Sequence, residues 1–335
     1  MSTRARAAPD VREGGAWTRA QTWKNAVLYA LVRVALALLV PLPARMLRAI
    51  GRGVGILAYA IFGAARRTAR RNVARALPHL ARPAQDALVR RAYVTLGGHL
   101  GDAIALLHPR AKLAELPFDD DARAVLDTAR REGRGVVFAS AHLGPWERVA
   151  ATLVARGVPL TTLARGGYDP RLDALYDRLR RPRGVGVIYR GRPGAAARIV
   201  RTLRRGEVLG APMDLRSRVP SIDAPFLGHS APTPVGPARI ALRTGAAVVV
   251  GTVAPAPDGG ARITMRRIAT SDLAPDREGE RILTGRINRE LSARILAMPG
   301  DWVWMHPRFA DTEPAEPVRR CDRSPTDVAD NCADL

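Results

Sequence analysis

GVVFASAHLGPWE, residues 135–147, runs from an unbroken apolar stretch straight into the start of a helix. Val136 to Ala139 do not alternate with polar residues, so the strand they predict is buried on both faces, as strands of parallel sheets are. Gly144 and Pro145 punctuate the end of that stretch: Gly144 is suited to cap a helix, Pro145 to be its first residue, and Glu147 then falls in the first turn. His142 is thereby expected at the carboxyl end of a strand, where open α/β sheets place their sites.

The same rhythm continues on both sides. A helical stretch ends near Gly133; after the helix that stops at Gly157 come the strand VPLTTL (158–163), a helix over 170–181, the strand VGVIY (185–189), a helix over 194–205 closed by Gly206, and the strand VLGAPMD (208–214). PVGPARIALRTGA reads as a helix closed by Gly245, AAVVVGTVA as a further strand, ARITMRRI as its hairpin partner, and 278–298 as a long amphipathic helix. Helices alternating with continuous apolar strands predict an α/β fold, a mostly parallel central sheet flanked by helices. An N-terminal membrane-associated helical region precedes it.

That region is read from charge as much as from hydropathy. NAVLYALVRVALALLVPLP (25–43) carries only Arg33 in its apolar run. Its uninterrupted core, 26–40, would span about 22 Å as a helix, short of the roughly 30 Å hydrocarbon layer. It can tilt, span with its flanks, or lie in the interface. A second apolar run covers 54–62. Between Glu13 and Asp86 there is no acidic residue, while Arg45, Arg48, Arg52, Arg66, Arg67, Arg70, Arg71 and Arg75 crowd the stretch. Apolar runs beside an acid-free basic cluster suit anionic lipid headgroups, and the competing reading is a buried helix pair with a solvated basic side. The basic excess after the first run orients the main domain towards the cytoplasm.

With 335 residues, 47% of them hydrophobic, the chain can bury a full core, which excludes a disordered or fibrous protein. The formal charge of +22 is carried almost wholly by arginine, since Lys24 and Lys112 are the only lysines. Such a charge favours nucleic acid, an anionic membrane surface or an acidic carrier protein. Cys321 and Cys332 sit in a polar tail and support neither a disulfide framework nor a thiolate site. The six histidines show no HxxxH or HExxH spacing, so no metal site is expected.

His142 and Glu147 form the constellation with chemical potential. A carboxylate on one ring nitrogen fixes the tautomer and frees the other nitrogen to take a proton from a hydroxyl. A first-turn acid is also favoured by the helix dipole alone, so the pair reads either as a catalytic dyad or as a capping histidine beside an ordinary acid. Arg190, Arg216 and Arg218 flank strand ends and suit phosphates or plain solvent. Trp302, Trp304, Met305 and His306 suit core packing or a lipid-tail contact.

The HLGPWE segment resembles the H-x4-D/E motif of the bacterial lipid A biosynthesis acyltransferases and of their actinobacterial relatives that acylate phosphatidylinositol mannosides. RRNVARALP (70–78) resembles the family's early RxN…P block, ARGGYDPRLD (164–173) its arginine-containing segment, RRGEVLGAPMD (204–214) its strand ending in aspartate, and PVGPARIALRTGAAVVV (234–250) and GDWVWMHPRF (300–309) its last two blocks. The resemblance spans about 25–310. It implies His142 as general base, Glu147 as its partner, Arg165 as a contact to acceptor phosphate or a support for the site, and Asp214 as a polar residue near the dyad; Arg190 joins these as a substrate-binding candidate. Relatives commonly carry an acid two residues before the aspartate, where this chain has Pro212. No FPEGTR-like block occurs, which argues against the glycerophosphate branch.

The resemblance implies transfer of a fatty acyl chain from an acyl carrier protein or acyl-CoA thioester to a hydroxyl of a membrane lipid, with lipid A as the leading acceptor type. Phosphatidylinositol mannosides and lysophospholipids are the alternatives. No cofactor, metal or nucleic acid is expected. The expected organisation is a disordered 1–22, a membrane-associated helical region over 23–64, an acyltransferase domain over 65–310 and a loose tail over 311–335, at a bacterial inner membrane with the catalytic domain facing the cytoplasm. A basic nucleic-acid-binding protein and a non-catalytic membrane scaffold are rivals from other classes.

Overall fold

The computed structural model describes residues 16–108, 115–257 and 260–309. The expected tail, with both cysteines, and most of the expected disordered N-terminus lie outside them. The first helix, α1 (Arg19–Leu39), begins at a capping box in which Thr18 and Gln21 each bond the other's backbone N–H, four residues ahead of the expected boundary at 23. Its 21 residues reach about 32 Å at 1.5 Å per residue, so the flanks supply the length that the apolar core lacks. Among the described residues it is the one helix long and apolar enough to cross a membrane. Only Asn25 on it is buried.

Helices α2 (Ala44–Ile61) and α3 (Gly63–Ala76) meet at a 92° bend. The long α4 (Arg82–Leu106) lies against α2 with almost no separation. A Cβ at Gly51 would stand 2.0 Å from the Gly97 carbonyl oxygen, and one at Gly97 would stand 2.0 Å from that of Gly51; Gly55 and Gly101 are equally confined. The obstacles are backbone atoms, which cannot step aside as a side-chain tip can. Gly97→Val should therefore exceed the roughly 1–3 kcal/mol typical of overpacking, seen as a fall in the thermal midpoint of the detergent-solubilised protein. An unchanged midpoint would mean that the two helices can part freely.

After α5 (Ala122–Arg131) the chain enters the sheet with β1 (Val136–Ser140), α6 (Trp146–Ala155), β2 (Leu160–Arg165), α7 (Pro170–Arg180), β3 (Gly186–Arg190), α8 (Ala195–Arg204) and β4 (Val208–Pro212). A hairpin, β5 (Ser221–Phe226) and β6 (His229–Pro234), interrupts the alternation before α9 (Gly236–Thr244), β7 (Ala247–Pro255), β8 (Ala261–Ile268) and α10 (Arg277–Ala297). The six-stranded sheet runs β3-β2-β4-β1-β7-β8, parallel except for β8, which returns antiparallel along β7. This is the mostly parallel α/β sheet expected from the sequence. The hairpin carries Pro225, Pro232 and Pro234 and alternates weakly, so it leaves little trace in apolar periodicity.

Each apolar strand feeds two cores. On β1, Val136 and Phe138 join α5 and α6 through Leu126, Val149 and Leu153, whereas Val137 and Ala139 join α9 and α10 through Ala238, Leu283 and Ile287. Double-sided burial is why GVVFAS reads as continuous rather than alternating. Trp302 and Trp304 are wholly buried in the second of these cores, which assigns them to packing.

Candidate active site

Two adjacent parallel strands bring the central groups together. The β1/β4 register pairs Ser140 with Pro212, and the Met213 N–H still donates to the Ser140 carbonyl at 3.0 Å. Two residues past that last pair stand His142 on one strand and Asp214 on the other. Asp214 Oδ1 accepts from His142 Nδ1 at 2.9 Å, while Oδ2 accepts from the His142 backbone N–H and from the Trp302 indole, both at 2.8 Å. The carboxylate has no exposed surface, and the imidazole is 29% exposed.

Burial alone would raise the Asp214 pKa, but His142 and the three donated bonds outweigh it and hold it below the ordinary carboxylate value. Ionised, it can only accept, so the proton sits on Nδ1 and Nε2 is left as the basic nitrogen. For His142 burial opposes charge, yet Asp214, and after it Glu147, raise its pKa above the usual imidazole value. His306 is displaced the other way, lowered first by burial.

The carboxylate on the imidazole is thus Asp214, where the sequence points to Glu147. Glu147 does lie in the first turn of α6, one position nearer the helix start than expected because Pro145 is the cap and Trp146 the first residue. From there it faces α7: Arg180 donates Nε to Oε2 at 3.0 Å and Nη2 to Oε1 at 2.8 Å, and the Tyr176 hydroxyl donates to Oε1 at 3.2 Å. Arg180 is buried, also donates to Thr162, and lies 4.3 Å from the Tyr176 ring centroid. A buried guanidinium binds a carboxylate bidentately more strongly than a neutral ring nitrogen can, which decides where Glu147 turns. Trp146, beside it, meets the His142 ring edge to face at 5.2 Å.

His142 lines a cavity of about 600 Å³ with two characters. Part of its lining is apolar, with Phe138, Val149, Leu153 and Leu160 from the α6 side of the sheet. Gly251 helps shape it, since a Cβ there would meet the Phe138 ring at 2.2 Å. Arg165, Arg190 and Arg216 line the cavity as well. Arg165 and Arg190 are register partners at the ends of β2 and β3, and burial together with the charge of Arg165 lowers the Arg190 pKa. Like charges directly opposite on a sheet are destabilising unless an anion comes between them. Arg190 Nη2 donates to Ser217 at 3.3 Å.

Four of the five sequence candidates gather at one site, where His142, Arg165 and Arg190 line the cavity and Asp214 backs His142, while Glu147 turns to Arg180 at the start of α6. Sequence reasoning gave Trp302 to packing or a lipid tail without its bond to Asp214, and missed Tyr176 and Arg180. Trp302 lies 160 residues beyond His142 and nothing in its spacing reports the contact; Arg180 sits among neighbouring arginines that read as solvated. Among the described residues no cluster of His, Cys, Asp and Glu could hold a metal ion.

Residues 19–311 match the family described as bacterial lipid A biosynthesis acyltransferase. The phosphatidylinositol mannoside acyltransferase of Mycolicibacterium smegmatis is 27% identical over 269 residues, covering 76% of this chain and 85% of that relative. The family match takes in both strands that carry His142 and Asp214 and all the cavity arginines, so the chain belongs to the bacterial lipid A biosynthesis acyltransferase family.

Proposed function

We propose that this acyltransferase moves a fatty acyl chain from a carrier thioester, on acyl carrier protein or coenzyme A, to a hydroxyl of a membrane glycolipid, in a lipid A-type late acylation at the cytoplasmic face of a bacterial inner membrane. The observation that carries the reading is an imidazole fixed by a buried aspartate on the wall of a cavity lined by apolar side chains and arginines. His142 Nε2 takes the acceptor hydroxyl proton as the oxygen attacks the thioester carbonyl and the C–O bond forms. The tetrahedral intermediate collapses with loss of the C–S bond, and the imidazolium returns its proton to the thiolate. Glu147 keeps Arg180 and α7 against the start of α6. The N–H groups of Gly144 and Trp146 are already committed, to the carbonyls of Asp301 and Gly144, which turns attention to the cavity arginines for the oxyanion.

A second acceptor, a phosphatidylinositol mannoside, is favoured by the name of the mycobacterial relative. Mass spectrometry of lipids from cells lacking the protein tests both: the lipid that loses one acyl chain is the acceptor, and an unaltered lipid profile, with no transfer by the purified protein from acyl carrier protein or acyl-CoA, refutes the reading.

Arg165→Ala and Arg190→Ala should each raise the KM for a phosphorylated acceptor several-fold, about 1–2 kcal/mol as for a lost charged hydrogen bond, with folding retained. Unchanged kinetics would return them to the solvated surface. The pH profile has a definite sign as well. A general base must be neutral, and the raised pKa of His142 places the acid limb of kcat/KM above the ordinary imidazole value. Asp214→Asn removes the largest raising influence and leaves burial, so the limb should move to lower pH while kcat falls. A limb that stays in place would assign it to a group other than His142.

A further inference from the structure

A second cavity, of about 440 Å³, lies between α2, α4 and the start of α6, and Trp146 lines both it and the first. Its walls differ from those of its neighbour. Ala58 of α2, Leu96 and Ala103 of α4, and Met305 give it an apolar interior. The charged groups on its wall have partners, Asp102 with Arg48 and Arg148 and Glu147 with Arg180, and His99 Nε2 lies 3.3 Å from Asp301 Oδ1. Apolar side chains make up most of the remaining lining, so the space suits hydrocarbon, and its size falls in the ligand range of about 300–1,000 Å³.

The mouth is equally apolar. Val54, Phe62 and Leu100 line the cavity and are 48, 60 and 50% exposed, and Ile50, Leu57 and Ile61 extend the same exposed face along α2. Apolar exposure on this scale marks a membrane or partner surface. The cavity is thus continuous with the face that the basic, acid-free helices would lay on a bilayer, whereas Arg165, Arg190 and Arg216 line the first cavity.

We propose that this second cavity receives an aliphatic chain of the membrane lipid acceptor while the donor's acyl chain occupies the first, Trp146 keeping the two apart. The proposal rests on the direct-transfer reading above, because direct transfer needs both chain-bearing substrates at His142 at once. A chain drawn from the bilayer into an apolar cavity exchanges one hydrocarbon surrounding for another, so the lipid can rise far enough to present its hydroxyl without exposing that chain to water.

Photo-crosslinking of the full chain decides it. In phosphatidylglycerol and phosphatidylcholine vesicles containing a phospholipid with a diazirine on its acyl chain, and without thioester, irradiation should give adducts on Leu96, Leu100 or Met305. A palmitoyl-CoA carrying a terminal diazirine should instead label Phe138 or Leu153. Ala58→Trp and Ala103→Trp fill the second cavity and should abolish the lipid adducts while leaving those of palmitoyl-CoA. The wild-type maps alone remain decisive if either variant does not fold. Lipid adducts confined to the outer face of α1 and α2 would overturn the proposal, and so would palmitoyl-CoA adducts in the second cavity. Labelling needs no turnover, so failure of the acyl-transfer reading registers separately, as absence of transfer by the wild-type enzyme.

Discussion

His142→Ala should lower kcat by about 10²–10⁴, the range of general acid–base assistance, with little effect on the thermal midpoint. Asp214→Ala should lower it too, because without the carboxylate nothing keeps the proton on Nδ1 and Nε2 is no longer reliably the free base. Once His142 is gone, however, Asp214 has no imidazole left to orient. The double variant should be scarcely slower than His142→Ala alone, the non-additivity expected of groups that act as a unit. Asp214 also receives the Trp302 indole, so its variants need a folding check by circular dichroism and by the tryptophan fluorescence of that buried core. Additive losses in the double variant would detach Asp214 from the histidine, and wild-type turnover by His142→Ala would remove the catalytic reading.

Glu147 should behave differently, through stability. Glu147→Ala leaves Arg180 buried among Tyr176, Thr162 and the sheet with no counter-charge, and breaking a buried pair on one side typically destabilises by about 3–5 kcal/mol. The expected result is a large fall in thermal midpoint together with lost activity, because α6 and α7 flank the cavity. Arg180→Met combined with Glu147→Leu, which removes both charges, should recover much of the midpoint. If Glu147 instead acted on the imidazole directly, Glu147→Ala would keep its midpoint, lose kcat and show no further loss when combined with His142→Ala. That pattern would restore the pairing suggested by the H-x4-E spacing.

Range along the chain divides the features that were legible in the sequence from those that were not. Continuous apolar strands, glycine stops at Gly157, Gly206 and Gly245, and the strand-to-helix junction at His142 are local, and the local pattern delivers the parallel sheet and the position of the site. Arg165, Arg190 and Asp214 were placed by strand ends and by family resemblance, and the sheet does gather them. The partner of His142 was not readable, because spacing along one chain favours the acid five residues away, while the acid on the neighbouring strand lies 72 residues off and arrives only through the β1/β4 register. The β5/β6 hairpin escaped for a simpler reason, its prolines and short alternation carrying no strand signature.

The glycine contact between α2 and α4 has a consequence for which hydroxyl can react. From α2, backbone touches backbone at α4; α4 in turn holds the 299–301 turn through Thr95, which donates to the Gly300 carbonyl at 2.6 Å, and through His99 against Asp301; and the Asp301 carbonyl takes the N–H of Gly144, two residues from His142. No flexible side-chain layer interrupts this chain at its first joint. An enzyme seated on a bilayer by α2 would carry its catalytic nitrogen at a fixed height, like a plane iron set in its stock, and regioselectivity would then be a matter of depth: among several similar hydroxyls on one headgroup, the one standing at that level is the one acylated.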